Sequence, residues 1–166
     1  SSAVLNVTQD RLEQKGFLAS NGFPVPSFVT LTAPDQLAAT VRQVGYPAFC
    51  KTAMAGYDGK GQWRIGQESD VQKVERALLE SVRPGMRWIV ESYVPFEREL
   101  SILVVRGSDG ENCTYPLAEN EHEEGILRTT MVPALASPIV AERAATLARQ
   151  VVDRLEGVGV FCLELF

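Results

Sequence analysis

A strand that delivers a lysine into a run of glycines constrains this chain more than any other feature. Residues 49–65 read Phe-Cys-Lys-Thr-Ala-Met-Ala-Gly-Tyr-Asp-Gly-Lys-Gly-Gln-Trp-Arg-Ile. Glycines at 56, 59 and 61 permit positive φ and let backbone N–H groups approach an anion, while Lys51 and Lys60 bring point charges for phosphate oxygens. The same residues also suit a plain hairpin, because Asp58-Gly59 is a type I′ turn pair. Two familiar phosphate loops are excluded. The P-loop follows its second glycine with Lys and then Ser or Thr, whereas Gly61 here is followed by Gln62 and Trp63. The dinucleotide fingerprint opens a helix, whereas Gly59-Lys60-Gly61 runs into Gln-Trp-Arg-Ile, a strand-like segment. A glycine-rich loop between antiparallel strands, with a lysine on the strand before it, suits a nucleotide lid.

With 166 residues, 45% of them hydrophobic and 22% charged, the chain has ordinary globular composition, which excludes disordered and fibrous classes. Its 16 basic and 21 acidic residues give a net charge of −5. Nucleic-acid or anionic-membrane binding by bulk electrostatics is therefore disfavoured, and any phosphate site must be local. Cys50, Cys113 and Cys162 are scattered without a Cys-x-x-Cys pair and read as reduced, buried thiols. Without a membrane-length apolar run or a signal-like leader, the expectation is a soluble, cytoplasmic protein.

Taken in order, residues 10–21 read as a helix closed by Gly22, and Pro24 and Pro26 force an extended linker. Thr32 is expected to cap a helix with Pro34 in its first turn and Leu37, Val41 and Val44 on one face. Ser69 and Gln72 have capping-box spacing ahead of a helix with Val71, Val74, Leu78 and Leu79 as its stripe. Trp88-Ile-Val-Glu91 reads as a strand opening a second lobe. Glu91, with the backbone of Ser92, Tyr93 and Val94, offers an acceptor and donor edge for an adenine, although a strand-end glutamate is often merely solvated. Residues 99–118 form a hairpin around Ser108-Asp109-Gly110. The polar run 119–128, which holds His122, the sole histidine, reads by itself as a solvated loop. Ser137 and Pro138 start the longest helix, with Val140, Ala144, Leu147, Val151 and Leu155 on its face. The closing strand carries one acid, Glu164, whose burial would demand a partner or a metal.

Lys51 followed by Gly56-Tyr57-Asp58-Gly59-Lys60-Gly61-Gln62-Trp63-Arg64 resembles the central loop of the ATP-grasp enzymes, in particular their 5-(carboxyamino)imidazole ribonucleotide synthase branch. Asp10-Arg11-Leu12-Glu13-Gln14-Lys15 is similar to the family's leading helix, and Tyr115-Pro116-Leu117, Asn120-x-His122 and Gly125-Ile126-Leu127-Arg128 are similar to that branch's own signature. The resemblance implies an α+β ATP-grasp fold of two lobes with a nucleotide cleft between them. Residues 1–26 would be the leading helix and linker, 27–87 the small lobe with its lid, and 88–166 a larger lobe. It implies ATP and Mg²⁺ as cofactors, with bicarbonate and 5-aminoimidazole ribonucleotide as substrates, and no nucleic acid or membrane partner. A homodimer belongs to the same set of expectations.

By that likeness Arg11, Lys51 and residues Gly56, Tyr57, Asp58, Gly59, Lys60, Gly61 and Gln62 hold the phosphates, and Glu91, Ser92, Tyr93 and Val94 hold the adenine. Glu99 takes the ribose hydroxyls, His122 lies in the active-site loop, Arg128 meets an anionic substrate, and Glu164 binds Mg²⁺. An exposed arginine and an ordinary surface histidine are the plain readings of Arg11 and His122. The implied activity is ATP-dependent carbon–nitrogen ligation in purine biosynthesis. The chain is expected to be C-terminally incomplete, lacking a second metal carboxylate and inactive alone. Other ATP-grasp carboxylases or ligases, and a nucleotide-binding fragment without turnover, are the competing readings.

Overall fold

Pairing between distant segments builds the first half of the chain. The computed structural model describes residues 2–54, 61–123 and 125–166. The chain divides into two units, residues 5–94 and residues 95–166, the latter including the first few residues of the chain.

Helix α1 (Ser2–Gln9) is followed by α2 (Arg11–Ser20), whose N-cap is Asp10. The Asp10 carboxylate accepts from the Leu12 N–H at 2.8 Å, satisfying one of the orphan donors of the first turn. Strand β1 (Phe28–Leu31) leads through a 3₁₀ turn, Pro34–Gln36, to α3 (Leu37–Val44). Then come β2 (Ala48–Thr52), β3 (Gln62–Ile65), α4 (Val71–Ser81) and β4 (Trp88–Ser92). The sheet order is β1-β4-β2-β3, and every neighbouring pair is antiparallel. On one face Leu31, Cys50, Trp88 and Val90 pack with Leu37, Val41, Val74 and Leu78 of α3 and α4. On the other, Leu12 of α2 packs with Ala53 and Ile89. With both faces covered, β4 is buried from Trp88 to Glu91, which is why its sequence is a continuous apolar run rather than an alternating one. The strand expected to open a second lobe at residue 88 thus belongs to the first sheet.

The helix caps differ from the expected ones for a common reason. A 3₁₀ turn precedes both α3 and α4, so each capping position moves upstream of the helix proper. Ala33, not Thr32, occupies the first N-cap, and the Thr32 hydroxyl instead donates to the Gln36 side chain at 3.0 Å. The second box is Gln67 with Asp70 rather than Ser69 with Gln72.

In the second unit β5 (Glu99–Arg106) is central. Along one edge it pairs over seven positions with β9 (Gly159–Leu165). Along the other it meets β6 (Asn112–Thr114) and then β7 (Ala118–Glu123), which pairs onward with β8 (Ile126–Met131). The polar run read as a loop is therefore a hairpin; its charges sit on strands whose exposed face tolerates them. Helix α5 (Pro138–Leu155), capped by Ser137, covers one sheet face through Ala144, Ala148 and Val152 against Ile102 and Val104. Its buried side is rotated from the expected stripe, since Val140 is exposed and Ala148 and Val152 are buried. Glu164 is not buried either: β9 alternates, and Val160, Cys162 and Glu164 take its open face. The argument from burial to a metal therefore falls away for that carboxylate. No helix among the described residues is long and apolar enough to cross a membrane.

Cys50 is buried as expected, but Cys113 and Cys162 are exposed, because each lies on the sheet face that α5 does not cover. Burial pushes the Cys50 thiol up to about 12 from 9.0. A raised thiol pKa in the folded state contributes stability that is complete below the unfolded value and is lost as pH climbs through the folded one. A thiol reagent should accordingly modify two cysteines of the native chain and the third only on unfolding. In parallel denaturant titrations, the stability gap between the wild-type chain and Cys50→Ala should narrow as pH rises above 9.0.

Candidate functional site

The chemistry-bearing side chains fall into one cluster in each unit. In the first unit, Lys51 and Glu91 lie on adjacent strands, and on the sheet face opposite the α3/α4 core, because Phe49 pairs with Glu91 and Lys51 with Ile89. The Lys51 ammonium donates to Glu91 Oε2 at 2.8 Å, and Lys15 of α2 stands 3.6 Å from Oε1. Glu91 is only 5% exposed. Burial pushes the Lys15 ammonium below the ordinary lysine value, the Lys51 charge adds to that, and Glu91 opposes it. Lys51 also lies 5.7 Å from the centre of the Phe49 ring, which is itself 6.2 Å from that of Tyr93.

Helix α2 is held against this face at its first turn. The Arg11 N–H donates to the Ala53 carbonyl at 2.8 Å, and its guanidinium donates to the Thr52 carbonyl at 3.0 Å. The second carboxylate oxygen of Asp10 accepts from Arg87 at 2.6 Å. Arg11 is thus set directly after Lys51, at the base of the glycine-rich segment. Gly61, at φ +87°, has a conformation that disfavours any side chain, and a Cβ there would sit 3.2 Å from the Thr52 side chain. Gln62 pairs with Lys51 across β2 and β3. Gly56, Tyr57, Asp58, Gly59 and Lys60 lie outside the described residues.

The adenine-edge expectation needs one adjustment. The N–H groups of Ser92 and Tyr93 already donate to the Ser27 and Pro47 carbonyls, at 2.9 and 3.0 Å.

In the second unit the face of the sheet away from α5 gathers Glu99, Ser101, Asn120, His122, Thr130 and Glu164. Ser101 is opposite Glu164 on β9, and Glu99 is opposite Asn120 on β7. His122 Nδ1 is in contact with the Glu99 carboxylate. Asn120 donates to the Ser101 hydroxyl at 2.9 Å and accepts from Thr130 at 3.0 Å, a relay that fixes the amide. Pairing passes from Glu121–Thr129 to His122–Leu127, which leaves Arg128 as the extra residue of a bulge beside His122. Arg128 pairs with Glu123 at 3.3 Å on the exposed rim. Glu164 shares its face with Cys162, whose thiol, exposed at the surface but partly screened from water by its neighbours, is pushed up by that partial desolvation and by the Glu164 charge, against a hydrogen bond with Ser101.

Among the described residues no group of three or more His, Cys, Asp and Glu could hold a metal ion. A single exposed carboxylate such as Glu164 fits magnesium only where phosphate oxygens and water supply the other ligands, an arrangement that this ion tolerates. Lys15, Ser101 and Thr130 had no assigned role from sequence. The signal for Lys15 was available: it lies one helical turn after Arg11, on the same side of α2.

A strand-borne lysine that is followed in sequence by a glycine-rich run marks the class to which the chain belongs. The ATP-grasp domain family matches residues 16–166, and the chain belongs to it. Within that family it is 38% identical over 165 residues to the N5-carboxyaminoimidazole ribonucleotide synthase of Bacillus subtilis, covering 99% of this chain and 42% of that protein. The Brucella melitensis enzyme of the same name is 35% identical over 99% of this chain. A crystal structure of an ADP complex of N5-carboxyaminoimidazole ribonucleotide synthetase superposes with a TM-score of 0.92 at 34% identity, covering all of this chain and 43% of that one. The Aspergillus clavatus synthase in complex with ADP and 5-aminoimidazole ribonucleotide gives 0.85 at 28% identity, over 98% of this chain and 42% of that one. The chain spans less than half the length of these relatives.

Asp10 carries both the α2 cap and the Arg87 pair, so Asp10→Ala should cost about 1–3 kcal/mol. Chemical denaturation monitored by circular dichroism would measure it, and Arg87→Ala should account for part of the same loss.

Proposed function

We propose that this chain is the ATP-binding portion of an N5-carboxyaminoimidazole ribonucleotide synthase. In the proposed reaction a bicarbonate oxygen attacks the γ-phosphorus of ATP, ADP leaves, and the resulting carboxyphosphate is attacked at carbon by the amine of 5-aminoimidazole ribonucleotide, with release of phosphate. The observation that carries this reading is the Lys51 ammonium on the strand that leads into the glycine-rich segment, in a chain of which 99% aligns with 42% of a synthase of that name.

Phosphoryl transfer asks the protein for positioning and charge neutralisation rather than for covalent chemistry. Lys51 and Arg11 are proposed to hold phosphate oxygens. Gly56 to Gln62, including Lys60, are proposed to close over them and keep water from the labile mixed anhydride. The Val94 N–H and neighbouring carbonyls are proposed to read the adenine, and Glu99, oriented by His122, the ribose hydroxyls. Arg128 is proposed to meet bicarbonate or the ribonucleotide phosphate. Glu164 would hold magnesium, which when bound supplies charge neutralisation at the phosphates. The cytoplasmic location and a homodimer remain part of the proposal.

Calorimetric titration of Mg·ATP into the chain tests the reading. Saturable binding is expected, with GTP much weaker. Lys51→Ala should lose about 10- to 100-fold in affinity, the value of a charge-assisted hydrogen bond. Equal binding of ATP and GTP, or indifference to Lys51→Ala, would refute it. Phosphate release that needs bicarbonate but not 5-aminoimidazole ribonucleotide would favour a different ATP-grasp carboxylase.

A further inference from the structure

Lys51 has two tasks that one ammonium cannot perform together. Here it stands on Glu91, whereas a lysine that holds a phosphate must turn towards its ligand. Departure would strip a counter-ion from a carboxylate that is 5% exposed, a costly step for a buried charge. The two oxygens of Glu91 are, however, shared out: Oε2 to Lys51 at 2.8 Å, and Oε1 to Lys15 at 3.6 Å.

We propose that Lys15 is a positioning residue, the standing counter-ion of Glu91 that lets Lys51 leave this carboxylate for a nucleotide phosphate. The proposal rests on the nucleotide reading of Lys51 given above. The surroundings decide which lysine stays. Lys15 comes from a helix pinned by the Asp10 cap, by the Asp10–Arg87 pair and by the Arg11 N–H on the Ala53 carbonyl. Its side chain is 19% exposed, against 27% for Lys51. Lys51 lies at the end of β2, over an aromatic ring and next to the glycine-rich segment, where a swing of its four-carbon stem needs no backbone shift. Without Lys15, the whole charge of Glu91 would bear on Lys51 and compete with the ligand for it.

Lys15→Met keeps most of the stem and removes the charge. It should weaken Mg·ATP binding about tenfold, the size of coupling expected between contacting charges, and Lys15→Arg should restore most of it. Adding Glu91→Gln to Lys15→Met should recover affinity, because nothing then holds Lys51 back; on a Lys51→Ala background, Lys15→Met should change little. A merely structural Lys15 predicts equal losses in every background and no rescue by Glu91→Gln, and that pattern overturns the proposal. A second readout needs no nucleotide. The chain has four lysines, so ¹⁵Nζ-labelled NMR separates them. In ligand-free Lys15→Met the Lys51 ammonium should exchange its protons with water several-fold more slowly than in the wild-type chain. Unchanged exchange sinks the coupling whether or not ATP binds, whereas failure of the wild-type chain to bind ATP, together with slowed exchange in Lys15→Met, sinks the nucleotide reading alone.

Discussion

Taking a carboxylate out of water costs several kcal/mol, and Glu91 meets that cost because one neighbouring strand and one helix deliver cations to it. Lys51 arrives through the β2–β4 pairing, and Lys15 through α2. The second delivery depends in turn on Asp10, which caps the helix with one oxygen and grips Arg87 with the other. Arg87 immediately precedes β4, so both ends of this strand, at Arg87 and at Glu91, are tied by charge-assisted contacts to α2 and its cap. The apolar contact of Leu12 with Ile89 and Ala53 fills the space between them. The first unit is in this sense a sheet with one apolar face and one face on which packing and ion pairing alternate.

The second unit solves a different problem. Its sheet has α5 on one side, and the other side carries Glu99, Asn120, His122 and Glu164 at one end and Leu103, Cys113, Tyr115 and Val160 at the other. Period-two alternation is what separates these populations from the core: the residues between them, Ile102, Val104 and Phe161, face α5. A one-residue slip of β9 against β5 would exchange Glu164 for Leu163 on the open face, so the seven-pair ladder fixes chemistry as well as packing.

Elements with a strong local period were legible in the sequence: α2, α4, α5 and the strands around Lys51 all exist where periodicity places them, although the α4 cap lies further upstream and the buried side of α5 is rotated from the expected stripe. The helix starts were misread wherever a 3₁₀ turn intervened, because the same residue types cap either kind of turn. The run 119–128 looks like a loop because its charges are consecutive, and the hairpin it forms accepts them because residues 121–123 and 126–131 are exposed on both faces. Glu164 and two cysteines looked buried because a sheet covered on one side only has no composition that announces which side. Lys51 and Glu91 were found separately. That they touch, and that Lys15 shares the carboxylate, are facts of strand order, with β4 inserted between β1 and β2, and no local window contains strand order.

That insertion has a consequence for the growing chain. On a ribosome β2 and β3 can pair as a local hairpin soon after they emerge, but β1 has β4 as its partner, some sixty residues further on, as the register of Phe28 with Glu91 requires. Until Trp88–Ser92 is released, the apolar faces of α3 and α4 have half a sheet to cover, and the two lysines have no carboxylate between them. Closure of the first unit therefore waits for one short strand, and the order of synthesis makes the strand that bears Glu91 the piece that completes it.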